Sequence, residues 1–454
     1  MTGDWKQRWG SAALALAATL MIFSQRAPAA DPAGARHLGV ASCAGSTCHG
    51  RQEPTGAIVR QDEILLWQNP ASQAGAHSRA WAMLGGARGR AIAARLDIGD
   101  PQSAPLCLGC HTDPAPARGP NWRVSDGVGC EACHGGAGAP WLASHRATGA
   151  SHSANIANGL YPIDQPKARA ALCLDCHFGS GRDGQWADHR IMAAGHPRFA
   201  FELELFSALE QHWNEDAEHA RRKPTSSPVR LWAIGQAIAL ERALTLYAGP
   251  RGQAGAFPEF GFFDCHACHR RIGDQADFGS SAAANPGRPL PPGTPPFQDE
   301  NIIMLSAAAK VASPALAVRF DREARAFHLA MVQGRPQTVA AAGALRASAR
   351  ALSDAFAARA FTAADTFAII DAVAAGAAAR YTDYEASAQA VMALDSLLDA
   401  LVKQGAVTRK RTATVRGSID AAYRAVRDPN LYQPGEFQGA LTKAATAIRG
   451  LRQS

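Results

Sequence analysis

Apolar positions along the chain fall into three regimes. The first is a run from Ser11 to Phe23 that only Thr19 interrupts. In the second, from about Asp31 to Ile272, helical pieces are short, Gly and Pro are dense, and no stretch keeps the period-two alternation of a strand. Two longer helices stand out there. Phe199, Leu203, Phe206, Leu209 and Trp213 share one face of a predicted helix over Phe199–Ala220, and Val229–Tyr247 predicts another that stops at Gly249-Pro250. The third regime is Ala-rich and strongly helical. Ser313-Pro314 reads as an N-cap with proline in the first turn, before a stripe of Leu316, Phe320, Ala324, Phe327 and Met331. Leu345, Leu352 and Phe356 mark a further helix, Thr362 with Asp365 opens another, and Val391, Leu394, Leu398 and Leu401 line one that Gly405 ends. The pattern predicts a mainly α protein with little regular sheet.

These regimes divide the chain. Residues 1–30 read as an export signal: Lys6 and Arg8 precede the apolar run, and Ala27-Pro28-Ala29 supplies a small-residue cleavage site near Ala29 or Ala30. The run is shorter than the ~20 residues that span a bilayer, so a cleaved leader and a periplasmic or otherwise exported chain are expected. Residues 31–272 form the first domain. Residues 273–300, with Asn285-Pro-Gly-Arg-Pro-Leu-Pro-Pro-Gly-Thr-Pro-Pro296, read as a linker or an extended crossing segment. Residues 301–454 make a C-terminal helical bundle.

Composition sharpens this picture. The chain has 454 residues, 47% hydrophobic and 19% charged, which is enough apolar surface to bury a core. It carries 46 basic and 39 acidic residues, a formal charge of +7. All ten cysteines fall in five pairs, and a histidine follows each second cysteine. The sites are Cys43-Ala-Gly-Ser-Thr-Cys48-His49, Cys107-Leu-Gly-Cys110-His111, Cys130-Glu-Ala-Cys133-His134, Cys173-Leu-Asp-Cys176-His177 and Cys265-His-Ala-Cys268-His269.

Cys-x-x-Cys-His is the attachment sequence of a c-type haem. Two thiols at that spacing meet the two vinyl groups of one porphyrin edge, and the adjacent histidine reaches the iron. Disulfides leave the histidines unexplained, and zinc sites do not require histidine directly after the second cysteine. The first site has four residues between its cysteines, yet keeps the histidine and counts with the others. The chemistry therefore predicts five covalently attached haem c groups, with His49, His111, His134, His177 and His269 as proximal iron ligands, and a pentahaem cytochrome domain over 31–272. Each ferric haem with two propionates brings a charge of about −1, so five offset most of the basic excess and nucleic acid is excluded as a partner.

Trp67, His77-Ser-Arg-Ala-Trp81, Gly127-Val-Gly-Cys130-Glu-Ala-Cys133-His134-Gly135 and His145-Arg146, together with the order of the first four sites, resemble the cytochrome c-554 family over about Gly39 to His177. The resemblance implies a multihaem electron carrier whose haem packing is shared with hydroxylamine oxidoreductase and multihaem nitrite reductases. It also implies His77 and His145 as distal ligands. The fifth site, the wide first site and the C-terminal bundle depart from that family's tetrahaem pattern.

Ten histidines remain outside the motifs. Besides His77 and His145, the candidates for distal ligands are His196, within Gly-His-Pro before a predicted helix, and His189, His152 and His212. His266 lies inside its own attachment loop. His328 shares a helix face with Asp321 and Arg325 and is expected at the surface. If any iron keeps an open position, the site of Cys107, Cys110 and His111 is the one, because Thr112–Pro120 contains no histidine and the family's second haem is five-coordinate. Saturation of all five is the alternative.

The leading functional reading is a periplasmic electron carrier with closely packed, mostly bis-histidine haems and redox proteins as partners. A haem oxidoreductase acting on a small nitrogen or sulfur species at one open iron is the second reading. The third is a relay subunit of a larger, membrane-associated redox complex, docked through the C-terminal helices. Oligomeric state is not legible.

Overall fold

The structure, a computed structural model, describes residues 35–453 apart from 54–59, 214–218, 220, 222, 224, 254–256, 270–284, 286 and 292–293. The expected leader and the first part of the expected linker lie outside the described residues. The chain is mainly α, as its pattern predicts. Its one sheet among the described residues is a parallel pairing of Arg36–His37 with Ala117–Arg118. No helix of the described residues is long and apolar enough to cross a membrane.

The longest helix of the first domain, Pro228–Ala248, organises the molecule. Ser227 accepts a hydrogen bond from the Arg230 amide and Pro228 occupies the first turn, a pre-organised start. Its residues are apolar on every side, so it must be enclosed. Arg335–Ala358, Glu300–Ala312, Tyr384–Lys403 and Pro166–His177 all pack against it. Trp232, Leu240 and Tyr247 thereby share one continuous core with Phe320, Phe327, Leu352, Leu394 and Phe437. The helix Pro228–Ala248, which the sequence places in the first domain, packs into the same core as the C-terminal helices.

The described part of the Pro-rich segment is a crossing segment, not a solvated linker. Arg288, 4% exposed, lies between Asp299 and Asp383 with Nη1 2.9 Å from the Asp383 carboxylate. Phe297 is fully buried against Tyr247 and Phe327, and the Asp264 amide donates to the Pro296 carbonyl at 2.9 Å. Prolines suit such a path because they bring no N–H that burial would leave unsatisfied.

Within the bundle the helices start where expected, although Ser313 makes no side-chain cap bond at Pro314–Ala330. Thr362 and Asp365 form a reciprocal capping box at Ala363–Ala374. His328 is the exception. It is 1% exposed, donates from Nδ1 to the Ala324 carbonyl at 2.9 Å, and burial lowers its pKa to about 3. The expected surface position is thus wrong: neighbouring helices cover both flanks of Pro314–Ala330, not only the Phe320–Phe327 stripe.

The N-terminal half has a different interior. Apart from the helix Pro228–Ala248, its buried apolar clusters are small: Val40, Ile64 and Trp67 in one, Ala170, Leu203 and Leu231 in another. The expected helix over Phe199–Ala220 is also shorter, Leu203–Leu209. Glu202 starts it by accepting from the Glu204 and Leu205 amides. The apolar residues outside it pack on imidazoles instead, Phe199 on His196, Phe201 on His177 and Trp213 on His212. Their spacing reflects tertiary contacts, not one helix face.

Candidate functional site

Each attachment motif is a short helical turn or the end of a helix. Pro105–His111 and Pro166–His177 both begin with proline in the first turn and end on the motif histidine. Cys130–His134 is a single turn, and Cys265–Ala267 is a 3-10 turn that Asp264 caps. In the wide first site the His49 amide bonds to the Cys43 carbonyl at 3.1 Å, closing the longer loop so that both cysteines and the histidine stay together.

Opposite every motif histidine stands a second histidine from elsewhere in the chain. The ring centroids are 6.0 Å apart for His49 and His145, 6.4 Å for His111 and His196, and 6.5 Å for His134 and His212. They are 6.0 Å apart for His177 and His77, and for His269 and His189. Two imidazoles bound to one metal through bonds of about 2.0–2.1 Å, each ring centre about 1.1 Å behind its nitrogen, stand about 6 Å apart. The five gaps are of that size.

Five of the ten rings have a partner at Nδ1. His49 Nδ1 donates to Glu63 at 2.9 Å, His111 Nδ1 to the Ala80 carbonyl at 2.9 Å, and His196 Nδ1 to the Pro197 carbonyl at 2.7 Å. His212 Nδ1 donates to the Glu210 carbonyl at 3.1 Å, and His77 Nδ1 lies 3.2 Å from Glu210 Oε1. An imidazole anchored at Nδ1 presents Nε2, which is how an axial histidine is oriented. Around His111 and His196 the cleft is apolar, lined by Leu84, Ile92, Trp186, Ile191 and Phe199 beside Cys107 and Cys110. Donor set, gap and lining all fit a haem held at its cysteines.

Charge environments separate the sites. Burial lowers the pKa of His134 to about 3 and of His177 to about 4, so both rings are neutral and able to ligate. The Glu63 hydrogen bond raises His49 against its burial. At Glu210 burial pushes upward, but bonds from His212 and His77 overcome it and hold the carboxyl at about 2. Burial also drives the Cys133 thiol well above its usual range and Cys173 to about 12, so neither is a thiolate.

The sites form a row. Cys43 interacts directly with Cys130, linking the first and third. Cys133 and Cys173 sense each other's charge, linking third and fourth. Cys110 and Cys176 interact directly, and each thiol points at the other motif's backbone, linking second and fourth. The short helix His189–Ala193 joins second and fifth: Ile191 lines the His111 cleft while His189 faces His269.

Of the six distal candidates, His77, His145, His189, His196 and His212 each face a motif histidine. His152 does not: its Nε2 lies 3.1 Å from Asp164. His266 donates from Nε2 to the Pro429 carbonyl at 2.7 Å and is likewise occupied. Among the described residues, the one group of three or more His, Cys, Asp or Glu ligand atoms that converges is Asp264, Asp383 and Glu385, without a cysteine.

Three carboxylates that sequence reasoning passed over hold the arrangement. Glu63 and Glu210 orient imidazoles. Glu131, buried inside the third motif, accepts from the Leu38, Gly39 and Ala137 amides at 2.6–2.8 Å and ties the N-terminal segment to that site. The signal for Glu131 was its place between two attachment cysteines. Gly127 explains the rest of the string: its φ is +67°, and a Cβ there would lie 2.5 Å from the His77 carbonyl, which accepts from the Val128 amide at 3.0 Å. Arg118 stacks on Trp122 and Arg123 donates to the Pro120 and Trp122 carbonyls, so these cations serve local structure.

Comparisons with curated proteins and with solved structures each return no match for the chain. The family described as cytochrome c554 and c-prime matches residues 42–135, the span that carries the first three attachment sites. Over that span the chain is similar to this family, and the match supports a c-type cytochrome with covalently bound haem c and a part in electron transfer.

Proposed function

We propose that the protein is an exported, periplasmic pentahaem cytochrome that relays electrons between redox proteins through five bis-histidine sites. The observation that carries this reading is the pairing of all five motif histidines with a second histidine at 6.0–6.5 Å. Haem c, when bound, supplies a one-electron ferric/ferrous couple. The protein's part is to occupy both axial positions, which leaves no coordination site for a substrate and favours electron carriage over catalysis. Neighbouring cysteines and the helix His189–Ala193 suggest the order first, third, fourth, second, fifth.

The two ends of that row face outward. His269 and Cys268 are exposed, and Phe260, 53% exposed, lies 5.5 Å from His189. At the other end the His49 side chain is 40% exposed. Partner proteins docking at either end would come within short reach of a terminal haem. The C-terminal helices serve as scaffold, because their core clamps the helix Pro228–Ala248 that backs the fourth site.

The test is electron paramagnetic resonance of the ferric protein combined with a pyridine haemochrome assay and intact mass. The expected result is five haems per chain, all low-spin. A high-spin iron without added ligand would favour an open-site enzyme instead.

A further inference from the structure

We infer that Glu210 is a shared positioning residue whose one carboxylate orients the distal histidines of two neighbouring haem sites, the third and the fourth, and tunes them as a pair. This rests on the bis-histidine reading above. Glu210 Oε1 lies 3.2 Å from His77 Nδ1 and 3.5 Å from His212 Nδ1. His77 faces His177 of the fourth site and His212 faces His134 of the third. Cys133 and Cys173, one from each of these sites, both feel the Glu210 charge.

The chain fixes Glu210 from its backbone. The residue caps the end of Leu203–Leu209, its amide donating to the Phe206 carbonyl at 3.0 Å, while its own carbonyl accepts from His212 Nδ1 at 3.1 Å. His212 is therefore held by backbone and side chain of the same residue. A single ionised carboxylate oxygen has lone pairs for two N–H donors, which an amide or hydroxyl with its own protons serves less well. Elsewhere the anchor of an outer histidine is neutral: His196 donates to the Pro197 carbonyl.

A carboxylate behind an imidazole strengthens its donation to the metal, which favours ferric over ferrous iron. Because one charge serves two rings, its removal must move two centres and spare the other three. That two-of-five signature distinguishes positioning from general structural support.

The experiment uses the full-length, haem-loaded protein and its E210Q and E210D variants. It reads ferric electron paramagnetic resonance and a spectroelectrochemical titration, with the single variants H77M and H212M marking which signals belong to the fourth and third sites. In E210Q the two marked low-spin signals are expected to shift while three stay unchanged. Both marked centres should become easier to reduce, each by about a tenfold change in its ferrous-to-ferric ratio at fixed poise, or 59 mV for one electron. E210D keeps the charge but withdraws it, and should move the same two centres by less; if E210Q does not fold, a shift of that pair in E210D supports the inference. Five low-spin irons with unmoved potentials in either variant, or a shift of one centre alone, would overturn this inference and leave the bis-histidine reading standing. A high-spin third or fourth iron in the unaltered protein would overturn both.

Discussion

His111 and His196 face each other at 6.4 Å with their rings nearly perpendicular, at 87°. If any site is to stay open, the family resemblance and the histidine-free proline-rich stretch after His111 point to this one, with saturation of all five as the alternative. The second ring arrives instead from Gly195-His196-Pro197, beyond the fourth motif. Arg88 and Arg95 hold that turn in place by donating to the Gly195 and Ala194 carbonyls at 2.8–3.0 Å.

If His196 ligates the iron of this site as proposed above, replacing it should create an open position there. H196A is expected to convert one iron of five to high-spin and to bind one carbon monoxide per chain when reduced. The unaltered protein should bind none. Carbon monoxide titration with electron paramagnetic resonance of the ferric form checks both; an H196A protein whose irons all remain low-spin would remove His196 from the ligand set.

The wide first motif should attach a haem like the others. In the double variant C43S/C48S the haemochrome absorbance per chain should fall by about one-fifth, because one of five covalent attachments is removed. Intact mass should fall by one haem. Unchanged haem content would show that Cys43 and Cys48 have another role.

A chain ending at residue 285 should not survive as a soluble, fully haem-loaded protein, although a self-sufficient 31–272 domain would. Such a truncation uncovers Trp232, Leu240 and Tyr247 on the helix that backs the fourth site. The milder variant F327A, which empties a fully buried position beside Tyr247 and Phe297, should cost about 3–5 kcal/mol. Denaturant midpoints followed by far-ultraviolet circular dichroism measure that loss, and expression yield with haem stain measures the truncation.

Acid should weaken the bundle through His328. Burial, with Arg288 nearby, lowers its folded pKa to about 3 from the ordinary 6.5. Between those values the unfolded chain binds a proton that the folded chain refuses. Its contribution is thus fully present above pH 6.5 and is lost as pH falls from there toward 3. H328L, which cannot take up that proton, should show a shallower decline in stability between pH 7 and pH 5. Urea unfolding of both proteins at the two values gives the difference, and parallel slopes would contradict it.

The cofactor chemistry was legible along the chain because it is local. Two thiols and a histidine within one turn are set by spacing alone, and five repetitions identify haem c without any fold. The C-terminal helices were legible for a similar reason: caps such as Thr362 with Asp365 and stripes such as Phe320, Ala324 and Phe327 are written within a few residues.

Everything that joins distant segments had to wait for the tertiary structure. Single histidines carry no periodic signal, so His152 resembles His212 on paper, and only packing turns one toward Asp164 and the other toward His134. Phe199 and Trp213 fall on the spacing of a helix face, yet each packs on a different imidazole. Arg288 reads as a linker cation until Asp299 and Asp383 close around it. Glu210 has no sequence signature at all, because its role exists only where His77 and His212 meet. Short-range geometry determines which groups the chain attaches; the free energy of burying its long helices decides which histidines stand opposite them.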